Sequence, residues 1–336
     1  MTQTPSRTLA AMRAFAMTIA LVFAALGIKA QNSNTYEFLN IPVSARAAAL
    51  GGQNITVIEN DYTMASQNPA LLPCLSQRNV SLSYMHYIKG VNIAAASFSS
   101  FVNDRLGWAV GAQYMGYGKM TRADVYGNKQ GEFGAKDMAL TASFSYEFND
   151  YWSGGVTGKF LYSGYDSYSS LGLGFDFGLN YYKQRTDFSF SIVARNLGAQ
   201  LKHYTPGRRE KLPVNLLVGI SKRLAHAPLR LSVTMQDLHY WGNSAASEAA
   251  GDEQKFFNKL LDKFVIGLDF IPTKNIYVAL GYNCKVASAM KVNGSSHWAG
   301  FTFGAGLKLK QFRLGASYAR YHVAASSFMV NLSLGL

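Results

Sequence analysis

From Val80 to Leu336 apolar residues alternate with small or polar ones through about fourteen segments, each closed by a turn. Met138, Leu140, Ala142, Phe144, Tyr146 and Phe148 share one parity, and Ala139, Thr141, Ser143, Ser145 and Glu147 the other. Leu171, Leu173, Phe175, Phe177, Leu179 and Tyr181 repeat this against Gly172, Gly174, Asp176, Gly178 and Asn180. Successive strand side chains point to opposite faces, so each segment has one greasy and one wet surface. The pattern predicts strands over 80–87, 91–102, 106–117, 137–148, 152–163, 171–183, 187–196, 212–223, 228–238, 263–271, 275–284, 299–310, 312–321 and 326–336. Val91–Val102 alternates least.

The connections are unequal. Asn103–Arg105, Asn149–Tyr151, Gln184–Thr186, Leu224–Ala227, Pro272–Lys274 and Gln311 are tight, while 118–136, 197–211, 239–262 and 285–298 are long. An even set of alternating strands with short turns at one end and long loops at the other is the pattern of a transmembrane antiparallel β-barrel. It places both termini and the short turns on the periplasmic side and the long loops on the cell surface. Charge placement agrees with this, because a charge facing lipid near mid-bilayer costs about 2–4 kcal/mol. Glu147, Lys159, Asp176, Arg195, Asp269 and Arg313 all fall on the lumen parity, and Asp237 and Arg320, on the other parity, sit at strand ends. The last segment alternates to the final residue through Phe328, Val330, Leu332, Leu334 and Leu336, as C-terminal outer-membrane targeting signals do. A soluble sandwich rarely carries so many strands with one apolar face throughout.

The first thirty residues read as a signal peptide. Arg7 and Arg13 precede an apolar run from Ala14 to Leu26, and Ile28-Lys29-Ala30 before Gln31 suits cleavage. The apolar run is too short to span a bilayer. Losing residues 1–30 removes Arg7, Arg13 and Lys29 and no acid, so the net charge falls from +13 to +10. The remaining cations are spread over loops and lumen positions, which fits attraction to anionic lipopolysaccharide or an acidic partner better than nucleic acid. Charged residues make up only 15% while Tyr (20) and Phe (21) abound, as lipid-facing surfaces and aromatic girdles require.

Residues 31–79 break the alternation. Val43–Leu50 is alanine-rich and carries Arg46, Gly51-Gly52 ends it, and Tyr62–Ala70 reads helical up to Pro69. Fifty such residues before a barrel are enough to enter and plug its lumen. Arg46, Gly51, Gly52, Asp61, Asn68 and Pro69 are the residues expected to build that hatch. Asn68 before Pro69 is pushed out of the helix and can bond local backbone, predicting a firm turn into the first strand. In the loop 239–262, Phe256, Phe257, Leu260, Leu261 and Phe264 fall at helical spacing, forming a stripe either packed over the barrel mouth or presented to a partner.

No catalytic, cofactor-binding or metal-binding constellation is predicted. The histidines have no ligand spacing, no nucleophile–base pair is evident, and Gly51-Gly52, Gly172/Gly174 and Gly304/Gly306 form no dinucleotide fingerprint. In strands such glycines leave room for close packing and curvature.

The hatch segment Phe38–Gly52, FLNIPVSARAAALGG, continued by Gln67-Asn68-Pro69-Ala70-Leu71-Leu72, resembles the N-terminal hatch of FadL-like outer-membrane barrels. With LPVNLLVGISKRLAHAPLRLSVT (Leu212–Thr234) and AGFTFGAGLKLKQFRLGASYARYH (Ala299–His322), it is similar to the PorQ proteins of the Bacteroidetes type IX secretion system. That resemblance implies an outer-membrane barrel in the surface attachment complex. There it would anchor a surface subunit that binds anionic lipopolysaccharide, beside a sortase-like protease, and would need no catalytic residues of its own. A FadL-like channel for hydrophobic small molecules is the alternative, and the Gly-, Ser-, Thr-, Asn- and charge-rich lumen parity argues against the greasy pocket it requires.

Overall fold

The computed structural model describes residues 35–59, 61–74, 78–88, 90–124, 126, 128–239, 252–290, 298–321 and 325–336. The expected signal peptide and its cleavage point at Ala30-Gln31 lie outside the described residues, as do 240–251 and 291–297 of the long loops.

Fourteen strands close into one antiparallel barrel in which each pairs with its neighbours in sequence and the first pairs with the last. They are β1 (Asn79–Ile88), β2 (Val91–Asn103), β3 (Leu106–Ala123), β4 (Lys129–Glu147), β5 (Trp152–Tyr165), β6 (Tyr168–Lys183), β7 (Phe188–Lys202), β8 (Asn215–Arg223), β9 (Leu229–Met235), β10 (Phe264–Thr273), β11 (Ile276–Asn283), β12 (Phe301–Leu309), β13 (Phe312–Ala319) and β14 (Ser327–Gly335). The seam runs from Asn79 opposite Gly335 to His86 opposite Phe328. Strand parity divides the wall as the alternation requires: Leu140, Phe144, Phe303 and Leu280 are exposed on the outside, whereas Ala139, Ser143, Asp176 and Asp269 are buried inside. No helix among the described residues is long and apolar enough to cross a membrane.

Three of the departures from the alternation reading have a physical reason. First, β3 and β4 run on past the expected ends as a two-stranded ribbon, with Lys119 opposite Gly134 and Thr121 opposite Glu132, so most of 118–136 is strand rather than loop. Beyond the bilayer no lipid demands an apolar face, and the alternation that reveals a membrane strand fades. Second, β7 continues to Lys202 past a register shift against β6 between Phe175 and Phe177. Asn196 sits at the shift with φ 58°. A bulge reverses parity, which hid the extension. Third, 212–214 leaves the wall, and Leu212 turns inward to join the core with Tyr36, Phe38, Leu39 and Leu161. Asp237 and Arg320 lie beyond the ends of β9 and β13.

Two short helices, α1 (Ala45–Ala49) and α2 (Tyr62–Ala65), and two 3-10 turns (Glu37–Asn40 and Pro69–Cys74) lie between Thr35 and β1. Ala45, Ala47, Ala48, Ala49, Leu50, Ile55 and Val57 are buried at 0–1% exposure. This segment is the core of the molecule. In the long connections, α3 (Asp252–Leu261) precedes β10 and α4 (Cys284–Ala289) follows β11.

Candidate functional site

The lumen is where hatch and wall meet, and each contact begins from local sequence. Ser44 caps α1 by accepting from the Ala47 amide at 3.3 Å. Alanines give the helix a flat surface that lies against β11–β14. Gly51 (φ 91°) and Gly52 (φ 87°) then turn the chain through the left-handed region that other residues rarely adopt. The turn is bound to the wall by three bonds: the Gly51 amide donates to Thr302 Oγ1 (2.9 Å), Thr302 donates to the Ala49 carbonyl (2.7 Å), and Asn283 Nδ2 donates to the Gly51 carbonyl (2.9 Å). Gly281 stands behind it, where any Cβ would overlap the Leu50–Gly51 peptide.

Arg46 projects from α1 into a buried ion network. Its guanidinium pairs with Glu59 of the hatch and with Asp269 of β10, Nε to Oδ1 at 3.1 Å, and lies 4.1 Å over the Tyr277 ring. Burial works against the charge, but Glu59 and then Asp269 outweigh it, so Arg46 titrates above its ordinary value. Arg230 of β9 reaches the same Glu59 (3.5 Å) and Asp187 in the β6–β7 turn (3.4 Å), extending the network to the end of the barrel that carries the short turns.

Asp61 takes a different role. It caps α2 through the Thr63 amide (2.9 Å) and accepts from Ser81 of β1 (3.2 Å) and Ser333 of β14 (2.9 Å), which face each other across the seam. Asn68 Nδ2 donates to the Ile55 carbonyl (2.8 Å), and its Oδ1 accepts from the Ala70 amide (3.0 Å). The turn at Asn68-Pro69 therefore exists, but it leads into the 3-10 turn Pro69–Cys74 rather than straight into β1. That turn packs on β4–β6, where a Cβ at Gly155 would stand 2.5 Å from the Pro69 carbonyl carbon.

On the far wall the β7 bulge turns both Arg195 and Asn196 inward. Lys159 Nζ lies 2.7 Å from Asp176 Oδ2 and 2.7 Å from Asn196 Oδ1, and the Asn196 amide donates to Asp176 at 2.8 Å. Arg195 reaches across to Gln53 Oε1 (3.0 Å) and the Leu39 carbonyl (2.9 Å), gripping the hatch from the side opposite Arg46. Near the surface Tyr36 OH bonds Ser170 (2.5 Å), and burial pushes its pKa up to about 12. Asp137 accepts from Tyr117 (2.5 Å) and Tyr165 (3.0 Å) beside it.

At the long-loop end of the hatch, the outer mouth in the orientation the sequence predicts, a cavity of about 440 Å³ is lined by Phe38, Ile41, Pro42, Met115 and Tyr321 together with Glu37, Asn283 and Lys285. Below it, cavities of about 60 Å³ and about 90 Å³ remain between hatch and wall. Among the described residues no three His, Cys, Asp or Glu side chains converge as a metal site would need.

All six expected hatch residues thus lie in the lumen. The loop stripe divides differently: Phe257 and Leu261 are exposed on α3, Leu260 is half-buried, Phe256 is within the helix, and Phe264 belongs to β10. Sequence reasoning missed Glu59, Gln53, Thr302, Ser81 and Ser333. The last three lie on the lumen parity of their strands, the one signal that could have found them; Glu59 and Gln53 carry none.

No protein-family model and no curated protein matches the chain. Solved structures do. The toluene transporter TodX of P. putida aligns with TM-score 0.55 at 11% identity over 89% of this chain and 99% of its own. The Ralstonia pickettii toluene transporter TbuX gives 0.54 at 14% identity over 88% and 96%. A Pseudomonas aeruginosa FadL homologue gives 0.54 at 10% identity over 87% and 98%. The chain has the fold of the FadL-like outer-membrane barrels, whose solved members here are transporters and channels.

Proposed function

We propose that this barrel is a sealed outer-membrane anchor, serving the attachment complex of a type IX secretion system by holding a surface subunit that helps fix cargo to anionic lipopolysaccharide. The observation that carries the anchoring role is the hatch, clamped from opposite walls by Arg46–Asp269 and Arg195–Leu39 and stapled to the seam by Asp61. A plug held by buried ion pairs suits a closed barrel that works through its outer loops. The secretion-system assignment itself rests on the sequence resemblance. The partner surface proposed is the loop holding Phe257 and Leu261, with Phe256 and Leu260 in the same helix. Deleting 242–258 is expected to release a co-purifying surface partner while the barrel still shifts on heating in gels. Retention of that partner with normal cargo attachment would sink the loop assignment.

A second reading, a channel for hydrophobic small molecules, is favoured by the outer-mouth cavity and by the toluene transport named for TodX and TbuX. It predicts uptake of a monoaromatic or fatty-acid probe that depends on this chain. The first reading predicts none.

A further inference from the structure

The tall side of the barrel carries lysines where a membrane strand leaves the lipid. On β4 the outward residues are Tyr146, Phe144, Ala142, Leu140 and Met138, and then Lys136. Tyr146 to Lys136 is about 33 Å of strand at about 3.3 Å per residue, or about 25 Å of height at a tilt of about 40°, the thickness of the apolar band of such barrels. Lys136 therefore stands at the outer interface, its ammonium 5.9 Å over the ring of Tyr162, with exposed, outward-facing Tyr114 in the same girdle. Lys202 on β7, opposite outward-facing Leu171, lies in the ladder row of Met138, one outward position from Lys136, and its Nζ donates at 2.7 Å to Ser169 in the row of Lys136. Lys119, opposite Gly134, faces the same side and is paired with Glu132 at 3.2 Å. Among the described residues no carboxylate contacts Lys136 or Lys202. The opposite outer rim is aromatic instead, with Trp298, Phe301 and Tyr282 in contact, and its Lys285 is neutralised by Asp237 at 2.6 Å.

An unpaired ammonium above an aromatic belt, on a long apolar stem, is placed to meet phosphate at the level where acyl chains end. We propose that the outer rim of β4–β7, through Lys136 and Lys202 with Lys119 beside them, binds the phosphates of an outer-leaflet glycolipid of the lipid A type, whose acyl chains lie on the apolar wall below. The inference rests on the membrane placement of the fold and on neither reading of function.

The test uses the full-length mature chain in phosphatidylcholine vesicles, with and without bisphosphorylated lipid A, and reads the unfolding temperature by the loss of the compact gel band and lipid adducts by native mass spectrometry. Lipid A is expected to raise the unfolding temperature, and its dephosphorylated form is not. The double variant Lys136→Gln, Lys202→Gln should unfold normally in phosphatidylcholine alone. Its lipid A affinity should fall by about fivefold per lysine removed. Lys129→Gln, at the ribbon tip above the girdle, should bind as wild type does. An equal rise with dephosphorylated lipid A, or undiminished adducts on the double variant, would overturn the proposal.

Discussion

At the scale of single residues, the hatch is held by side chains that satisfy one another in pairs or triplets, and Asp61 is the most consequential. One carboxylate caps α2 and also joins the first strand to the last, through Ser81 and Ser333. Those two strands close the barrel, and the chain supplies them at opposite ends of its length. Asp61→Ala removes the cap, worth about 1 kcal/mol, and leaves the buried Ser333 hydroxyl without its acceptor. The variant is expected to unfold at a lower temperature than wild type, with Asp61→Asn, which keeps an acceptor oxygen, between the two. Equal unfolding temperatures for all three would mean that the seam closes without the hatch. None of this was visible in the alternation, because a serine on the lumen parity looks the same whether it faces water or a carboxylate. Arg46 was legible as a hatch residue, yet its partners were not: Asp269 lies more than two hundred residues away and Glu59 in a segment without periodicity.

Elements show why the fold was more legible than the site. Alternation over ten residues is a collective signal that survives a few exceptions, so the strand count and the closed order followed from it. It failed where a single residue changed the parity. At Asn196 the left-handed backbone shifts the register of β7 against β6 and turns two consecutive polar side chains into the lumen. Asparagine tolerates that conformation and also bonds Lys159 and the Pro213 carbonyl. Asn196→Gly keeps the backbone and loses the bonds; Asn196→Ala loses the bonds and adds about 1 kcal/mol of left-handed strain. Stability measured by thermal loss of strand signal should therefore fall in the order wild type, Gly, Ala. Should the alanine variant match the glycine variant, the bulge backbone is not held in the left-handed region.

For the molecule as a whole, the question is what the hatch does to a pore of this size. The wall strands bury Lys159, Arg195 and Arg230 and also Asp137, Asp176 and Asp269, and rows of glycine stand where the hatch backbone approaches. Two of the three cations, Arg195 and Arg230, reach hatch groups directly, so the plug is an electrostatic partner of the wall rather than a loose insert. Deleting 36–72 removes it while leaving every strand pair of the ladder in place. The deleted form is expected to conduct in planar bilayers where the intact chain is closed. Its ion selectivity should be weak, because three buried cations face three buried carboxylates. Arg46→Gln combined with Arg195→Gln should give brief openings of intermediate frequency, since both clamps are loosened and the glycine sockets remain. If the deleted form stays closed while its strand signal is native, the wall has collapsed onto the vacated lumen. The channel reading would then need another route through the barrel, whereas the sealed anchor needs none.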